Sequence, residues 1–62
     1  MNKEDAIAIL EQRIGELERQ KADPTVDPEM IQEGLEQFKD LLQRVKAGDE
    51  AAIQEVSDSW GP

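Results

Sequence analysis

The feature that restricts the fold of this chain most is a pair of Asp-Pro sequences four residues apart, Asp23-Pro24 and Asp27-Pro28. They matter because the rest of the sequence favours helix. Proline pushes the residue before it out of the α region, so the first pair ends a helix just ahead of it. The second pair has the opposite effect, because an aspartate acceptor followed by a proline of fixed φ is a common helix start. The sequence therefore predicts two helices joined by an elbow at residues 22–27.

Four apolar residues recur along the first segment: Ile7, Leu10, Ile14 and Leu17. Their spacings of three and four residues place them on one face of a helix. Asn2 can cap the first turn, while acidic residues near the start and basic residues near the end complement the helix dipole. We predict helix 1 at about residues 3–21.

The second and third segments carry the same kind of pattern. Five apolar residues mark the second segment: Ile31, Leu35, Phe38, Leu42 and Val45. Val26 and Ile31 flank the predicted helix start as a hydrophobic staple would, and Gly48 is suited to end the helix. Asp49 can cap a short third helix whose apolar face includes Ile53, Val56 and Trp60. We predict helix 2 at about residues 28–47 and helix 3 at about 50–60.

These segments predict an all-α fold, an antiparallel helical hairpin with a short third C-terminal helix, which together make a small three-helix bundle. A short elbow between helices of similar length folds them back on each other. A chain of 62 residues forms one small domain, and it buries only about 60% of the surface that its unfolded chain exposes. Because so small a core leaves a monomer marginally stable, dimerisation into a larger bundle would add stability.

Residue types exclude most catalytic chemistry. The chain has neither histidine nor cysteine, which removes the usual bases and the Ser-His and Cys-His nucleophiles. The acidic elbow fails as a calcium loop, since Pro28 and Gly34 stand where that loop needs glycine and glutamate. No glycine-rich phosphate loop precedes a helix. We expect no enzymatic activity, no metal and no cofactor.

Charge narrows the range of partners. Fifteen acidic residues against seven basic ones give a net charge of −8, which repels nucleic-acid phosphates and anionic lipids. No apolar stretch approaches the roughly 20 residues of a membrane span. We therefore expect no direct nucleic-acid or membrane binding, and the lack of cysteine favours a cytoplasmic protein.

Four acidic residues share a narrow sector of helix 2, opposite its apolar face: Glu29, Glu33, Glu36 and Asp40. We call them the acidic ridge, and at 1.5 Å per residue they extend over about 16 Å. A solvated outer helix face is one explanation for such a pattern. The alternative is a negative surface for a basic partner, to which the acidic residues of the third segment would add.

Trp60 is the other candidate partner-binding residue. Its indole can cover the open end of the hairpin and hold helix 3 in place, since no other side chain here buries as much area. Alternatively, it can project into a pocket of a partner, as tryptophan does at many interfaces.

Candidate residues for a homodimer lie beside the main apolar faces: Ile9, Met30, Gly34 and Leu41. The apolar arc of helix 2 is wider than one neighbour requires, so helix 2 should have two packing partners. One is helix 1, and the other is either helix 3 or a helix of a second copy. Gly34 either lets another backbone approach closely or is simply tolerated.

From these features we predict a non-enzymatic, acidic protein-binding module that docks onto a basic macromolecular partner as an inhibitor or adaptor. A narrower version is that the acidic ridge mimics nucleic-acid charge in the basic groove of a nucleic-acid-binding protein. The alternative function is homo-oligomerisation, in which the protein is a structural helical bundle.

Overall fold

Three helices and no strand make up the part of the chain that the computed structural model describes, residues 1–60. Helix α1 spans Lys3–Lys21, α2 spans Pro28–Lys46 and α3 spans Glu50–Trp60. Each helix contacts both others, and the α1–α2 contact is the most extensive. The predicted all-α three-helix bundle is confirmed. Helix α2 ends one residue before the predicted boundary.

Local hydrogen bonds explain where α1 begins. The side chain of Asn2 accepts a hydrogen bond from the backbone N–H of Asp5 at 2.8 Å, so it satisfies a donor that the first turn would leave unpaired. Glu4 and Asp5 lie in that first turn, and Arg19 and Lys21 lie in the last one, as the helix dipole favours.

The elbow at residues 22–27 is built from the two aspartates that precede its prolines. Asp23 Oδ1 accepts hydrogen bonds from both the backbone N–H and the hydroxyl of Thr25, at 2.9 and 2.7 Å, and these bonds lower the pKa of its carboxyl. The side chain of Asp27 accepts from the N–H of Glu29 at 3.0 Å and caps α2, whose first residue is Pro28. The carboxylates of Asp23 and Asp27 therefore stabilise the elbow and the start of α2 through local hydrogen bonds.

Gly48 makes the sharp connection from α2 to α3. Its φ of +89° lies in the left-handed region, which glycine adopts without steric cost. The N–H of Gly48 donates to the Val45 carbonyl at 2.9 Å and the N–H of Asp49 donates to the Arg44 carbonyl at 3.0 Å, which is the Schellman pattern. The chain then turns directly into α3.

The main core lies where all three helices meet. Its fully or nearly buried members are apolar: Ala6, Leu10, Leu41, Val45, Ala52 and Val56. Ile31 and Leu35 are also buried, but they lie outside this cluster, nearer the elbow. No polar side chain is buried among the described residues. The apolar faces predicted from spacing therefore point inward, with the small residues Ala6 and Ala52 as additional core members.

Helix α3 covers only part of the hairpin. Its 11 residues extend about 16 Å, against about 28 Å for each of the 19-residue helices. It runs beside the first half of α1, where Ile9 and Ser57 line the same surface depression. Ile14 and Leu17, farther along α1, stay half-buried. The half of the hairpin near the elbow is therefore two helices thick.

Candidate functional site

The acidic ridge lies on the outer side of α2. All four of its carboxylates are exposed, while the buried residues of α2 occupy the opposite side of the helix. At 100° per residue, Glu29, Glu33, Glu36 and Asp40 fall within a sector of about 60°. The helix therefore presents them to solvent as one line of negative charge.

No ridge carboxylate forms an ion pair within residues 1–60. The two ion pairs of this region are Arg13–Glu16 at 3.4 Å and Arg44–Asp49 at 3.0 Å. The one side-chain hydrogen bond to the ridge there is weak, from Gln32 Nε2 to Glu36 Oε1 at 3.4 Å. Among the described residues, the ridge carboxylates thus have no positive side chain paired with them.

Trp60 packs against Phe38 in an edge-to-face arrangement. The ring centroids are 5.1 Å apart and the ring planes meet at 60°, a favourable geometry for aromatic pairs. Both rings pack against the main core and both stay half-buried. Phe38 is the eleventh of the 19 residues of α2, so Trp60 lies near the middle of the hairpin. Of the two explanations for Trp60, the first is therefore wrong about its position, because α3 begins at the open end of the hairpin and Trp60 is the last residue of α3. Its contact with Phe38 and the core still holds α3 against the hairpin.

A solvent-open groove of about 220 Å³ separates α2 from α3 beside this aromatic pair. We call it the α2–α3 groove, and its lining residues come from both helices: Gln37, Phe38, Asp40, Leu41, Arg44, Glu55 and Trp60. Asp40 belongs to the acidic ridge as well, so the ridge and the groove form one continuous surface. Sequence spacing did not reveal the groove, although Phe38 and Trp60 are the only aromatic residues of the chain.

Arg44 is held at one end of the groove by Asp49. Its Nε donates to Asp49 Oδ2 at 3.0 Å, and this bond is the main reason why the pKa of the Asp49 carboxyl is lowered. The N–H groups of Ala52 and Ala51 lower it further, against a smaller opposing effect of burial. The charge of Arg44 is therefore largely balanced within the protein.

The four predicted oligomer residues do not form one surface. Leu41 is only 7% exposed, and a Cβ added to Gly34 would lie 3.3 Å from Leu17 Cδ1. That neighbour of Gly34 is a side-chain methyl group of α1, and no other backbone comes within 4 Å. Both residues therefore pack within the monomer.

The other two oligomer candidates lie far apart. Ile9 is half-buried beside α3, whereas Met30 is 70% exposed near the elbow. Gly34 of α2 lies opposite Leu17 of α1, and the two helices are antiparallel, so Met30 is level with the C-terminal end of α1. Along the axis of α1, that end is roughly 18 Å from Ile9. A dimer contact that buries Met30 would therefore leave Ile9 untouched unless it ran along most of the hairpin.

Within residues 1–60, no three carboxylates converge as a metal ion would require, and none of the three helices is both long and apolar enough to cross a membrane. The sequence matches no protein-family model, and no curated protein or solved structure is similar to it at a significant level.

Proposed function

We propose that the protein is a non-enzymatic binding module that docks onto a basic protein surface, as an inhibitor or adaptor, through the acidic ridge and the adjoining α2–α3 groove. The observation that carries this proposal is the line of four exposed carboxylates without an ion-pair partner among residues 1–60. A partner that supplies lysine or arginine side chains would provide the missing counter-charges.

The dimensions of the acidic ridge support this function. The ridge is about 16 Å long and carries four carboxylates, so neighbouring carboxylates lie closer together than the screening length of about 8 Å at physiological salt. They therefore act together on an approaching basic surface. A net charge of −8 adds long-range attraction. Such complementarity raises association rates and rejects acidic competitors more than it tightens final affinity.

Affinity capture from cell extract tests the proposal. Glu33→Gln with Glu36→Gln neutralises the middle of the ridge, and Glu11→Gln with Glu18→Gln makes the same change of charge on exposed positions of α1. We expect a basic protein to be retained by the native chain and the α1 variant, to be lost with the ridge variant, and to rebind when purified. Equal capture by both variants would overturn the proposal.

Homo-oligomerisation is the alternative function, and the exposure of Met30 favours it. This side chain is 70% exposed on the half of the hairpin that α3 does not cover, where Ile14 and Leu17 are also incompletely buried. Light scattering over a range of concentrations, with Met30→Gln as the variant, tests for a dimer. Leu41→Glu is unsuitable, because Leu41 belongs to the core of the monomer. A monomer at all concentrations would remove this alternative.

A further inference from the structure

The α2–α3 groove combines aromatic and acidic groups in a way that the acidic ridge alone does not. Phe38 and Trp60 form its apolar wall, and both rings keep part of their surface open to solvent. Asp40 of α2 and Glu55 of α3 contribute exposed carboxylates to the same lining. The groove is therefore an aromatic surface with negative charge from both helices.

The size of the groove indicates what can occupy it. Its volume of about 220 Å³ is below the roughly 300 Å³ at which pockets for small-molecule ligands usually begin. The groove is open to solvent, so an occupant can enter while it remains attached to a larger body. One long side chain of a partner protein matches this space.

The charge of the groove indicates a cationic occupant. Two of its lining residues, Asp40 and Glu55, are acidic and have no ion-pair partner among residues 1–60. The single basic lining residue, Arg44, is already bonded to Asp49 at 3.0 Å. The groove as a whole therefore attracts positive charge.

We infer that the α2–α3 groove takes an arginine side chain of the basic partner, stacked on Trp60 and bonded to Asp40 or Glu55. This inference rests on the proposed function. Arginine fits better than lysine because its planar guanidinium stacks on aromatic rings, is weakly hydrated and can form two parallel hydrogen bonds with one carboxylate. Trp60 then contributes to the fold through one side of its ring and to binding through the other.

Trp60 is also the reporter for the test, because it is the only tryptophan of the chain and there is no tyrosine. The probes are three capped oligolysine peptides of equal length that carry arginine, lysine or the uncharged analogue citrulline at the centre. We expect the arginine peptide to shift the Trp60 emission and to bind about two- to fivefold more tightly than the lysine peptide. The citrulline peptide should bind most weakly.

Paired variants locate the effect in the groove. Asp40→Asn with Glu55→Gln removes two charges from the groove lining, while Glu29→Gln with Glu50→Gln removes two charges outside it from the same two helices. We expect the groove variant to weaken arginine-peptide binding about three- to tenfold. The control variant should weaken all three peptides to a smaller and equal extent.

A variant of the aromatic wall tests stacking separately. Phe38→Leu keeps an apolar side chain in the wall and leaves Trp60 as the reporter, but it removes the ring whose edge-to-face contact holds Trp60 in position for stacking. We expect the preference for arginine over lysine to decrease, with circular dichroism verifying that the helices persist. If instead the preference survives both this variant and the groove-charge variant, the inference is overturned.

Other outcomes separate the groove from the acidic ridge. Equal binding of the arginine and lysine peptides without a change in Trp60 emission, but with loss in the Glu33→Gln, Glu36→Gln variant, would overturn the groove inference and leave the proposed function standing. Failure of every peptide to bind at millimolar concentration would overturn the groove inference and also count against the proposed function.

Discussion

Asp49 joins two helices through the two oxygens of its carboxylate. Oδ1 accepts hydrogen bonds from the N–H groups of Ala51 and Ala52, at 3.0 and 3.3 Å, and so caps α3. Oδ2 accepts from Arg44 Nε at the end of α2. The direction of its pKa shift follows from these bonds, because each of them favours the charged form.

Acid should therefore weaken the attachment of α3. The pKa of Asp49 is lowered in the folded protein, so its stabilising effect is complete above the unfolded-state value of about 3.9 and is lost as pH falls through the lower folded-state value. Asp49→Asn keeps a capping oxygen but removes the charge. Thermal unfolding between pH 6 and 2 should depend less steeply on pH in this variant, and an unchanged pH dependence would contradict this role of Asp49.

The left-handed backbone of Gly48 gives a second prediction at the residue scale. Gly48→Ala places a Cβ where φ is +89°, so we expect the free energy of unfolding to fall by about 1 kcal/mol. Gly15→Ala is the matched control, because its Cβ would meet no atom within 4 Å and alanine favours helix. This control should raise the free energy of unfolding by up to about 1 kcal/mol. Urea titration followed by circular dichroism measures both, and shifts of the same sign would contradict the assignment.

At the scale of whole helices, local signals in the sequence predicted most of what the structure contains. Caps at Asn2, Asp27 and Asp49 and the break at Gly48 act over a few residues, so their positions can be inferred without knowing the fold. The same limit explains what was missed. The contact between Trp60 and Phe38, and the groove beside it, depend on how far α3 reaches along the hairpin, which no short stretch encodes.

Apolar spacing also does not identify the small core residues, for a different physical reason. Ala6 and Ala52 are fully buried, yet alanine adds little to an amphipathic pattern and occurs as readily on exposed surfaces, as Ala8 and Ala51 do here. Their small side chains fit where the three helices approach one another. Only the packed structure separates the alanines in the core from those outside it.

A neighbouring pair of alanines tests this packing. Ala52→Leu adds three carbon atoms to a filled core, and we expect it to lower the free energy of unfolding by about 1–3 kcal/mol. Ala51→Leu makes the same change on the exposed side of α3 and should alter it by less than about 0.5 kcal/mol. Urea unfolding measures both variants, and an equal loss in the two would mean that α3 packs through another face.

For the molecule as a whole, the excess of negative charge opposes folding and favours association with positively charged surfaces. Fifteen acidic residues lie on a protein of 7.0 kDa, and just two ion pairs form within residues 1–60. Mutual repulsion among these carboxylates destabilises the compact state, while the same field attracts basic surfaces. Salt weakens both effects, so stability and partner binding should respond to it in opposite directions.

Sodium chloride tests this opposition. Between low salt and about 0.5 M, screening should raise the midpoint of thermal unfolding by about 2–4 °C, since about 0.5 kcal/mol shifts a domain of this size by that much. Retention of a basic partner or of the oligolysine peptides should decrease over the same range. Calorimetry and binding measured in matched buffers check the two trends, and a midpoint that falls with salt would contradict the first.

The placement of the acidic ridge has a consequence for how such a protein can change over time. Because the four carboxylates are exposed and the buried residues of α2 centre on the opposite side of the helix, we expect substitutions among them to leave the packing intact. Under the proposed function, the choice of partner can therefore drift, or be redesigned with a small combinatorial library, while the scaffold keeps its shape.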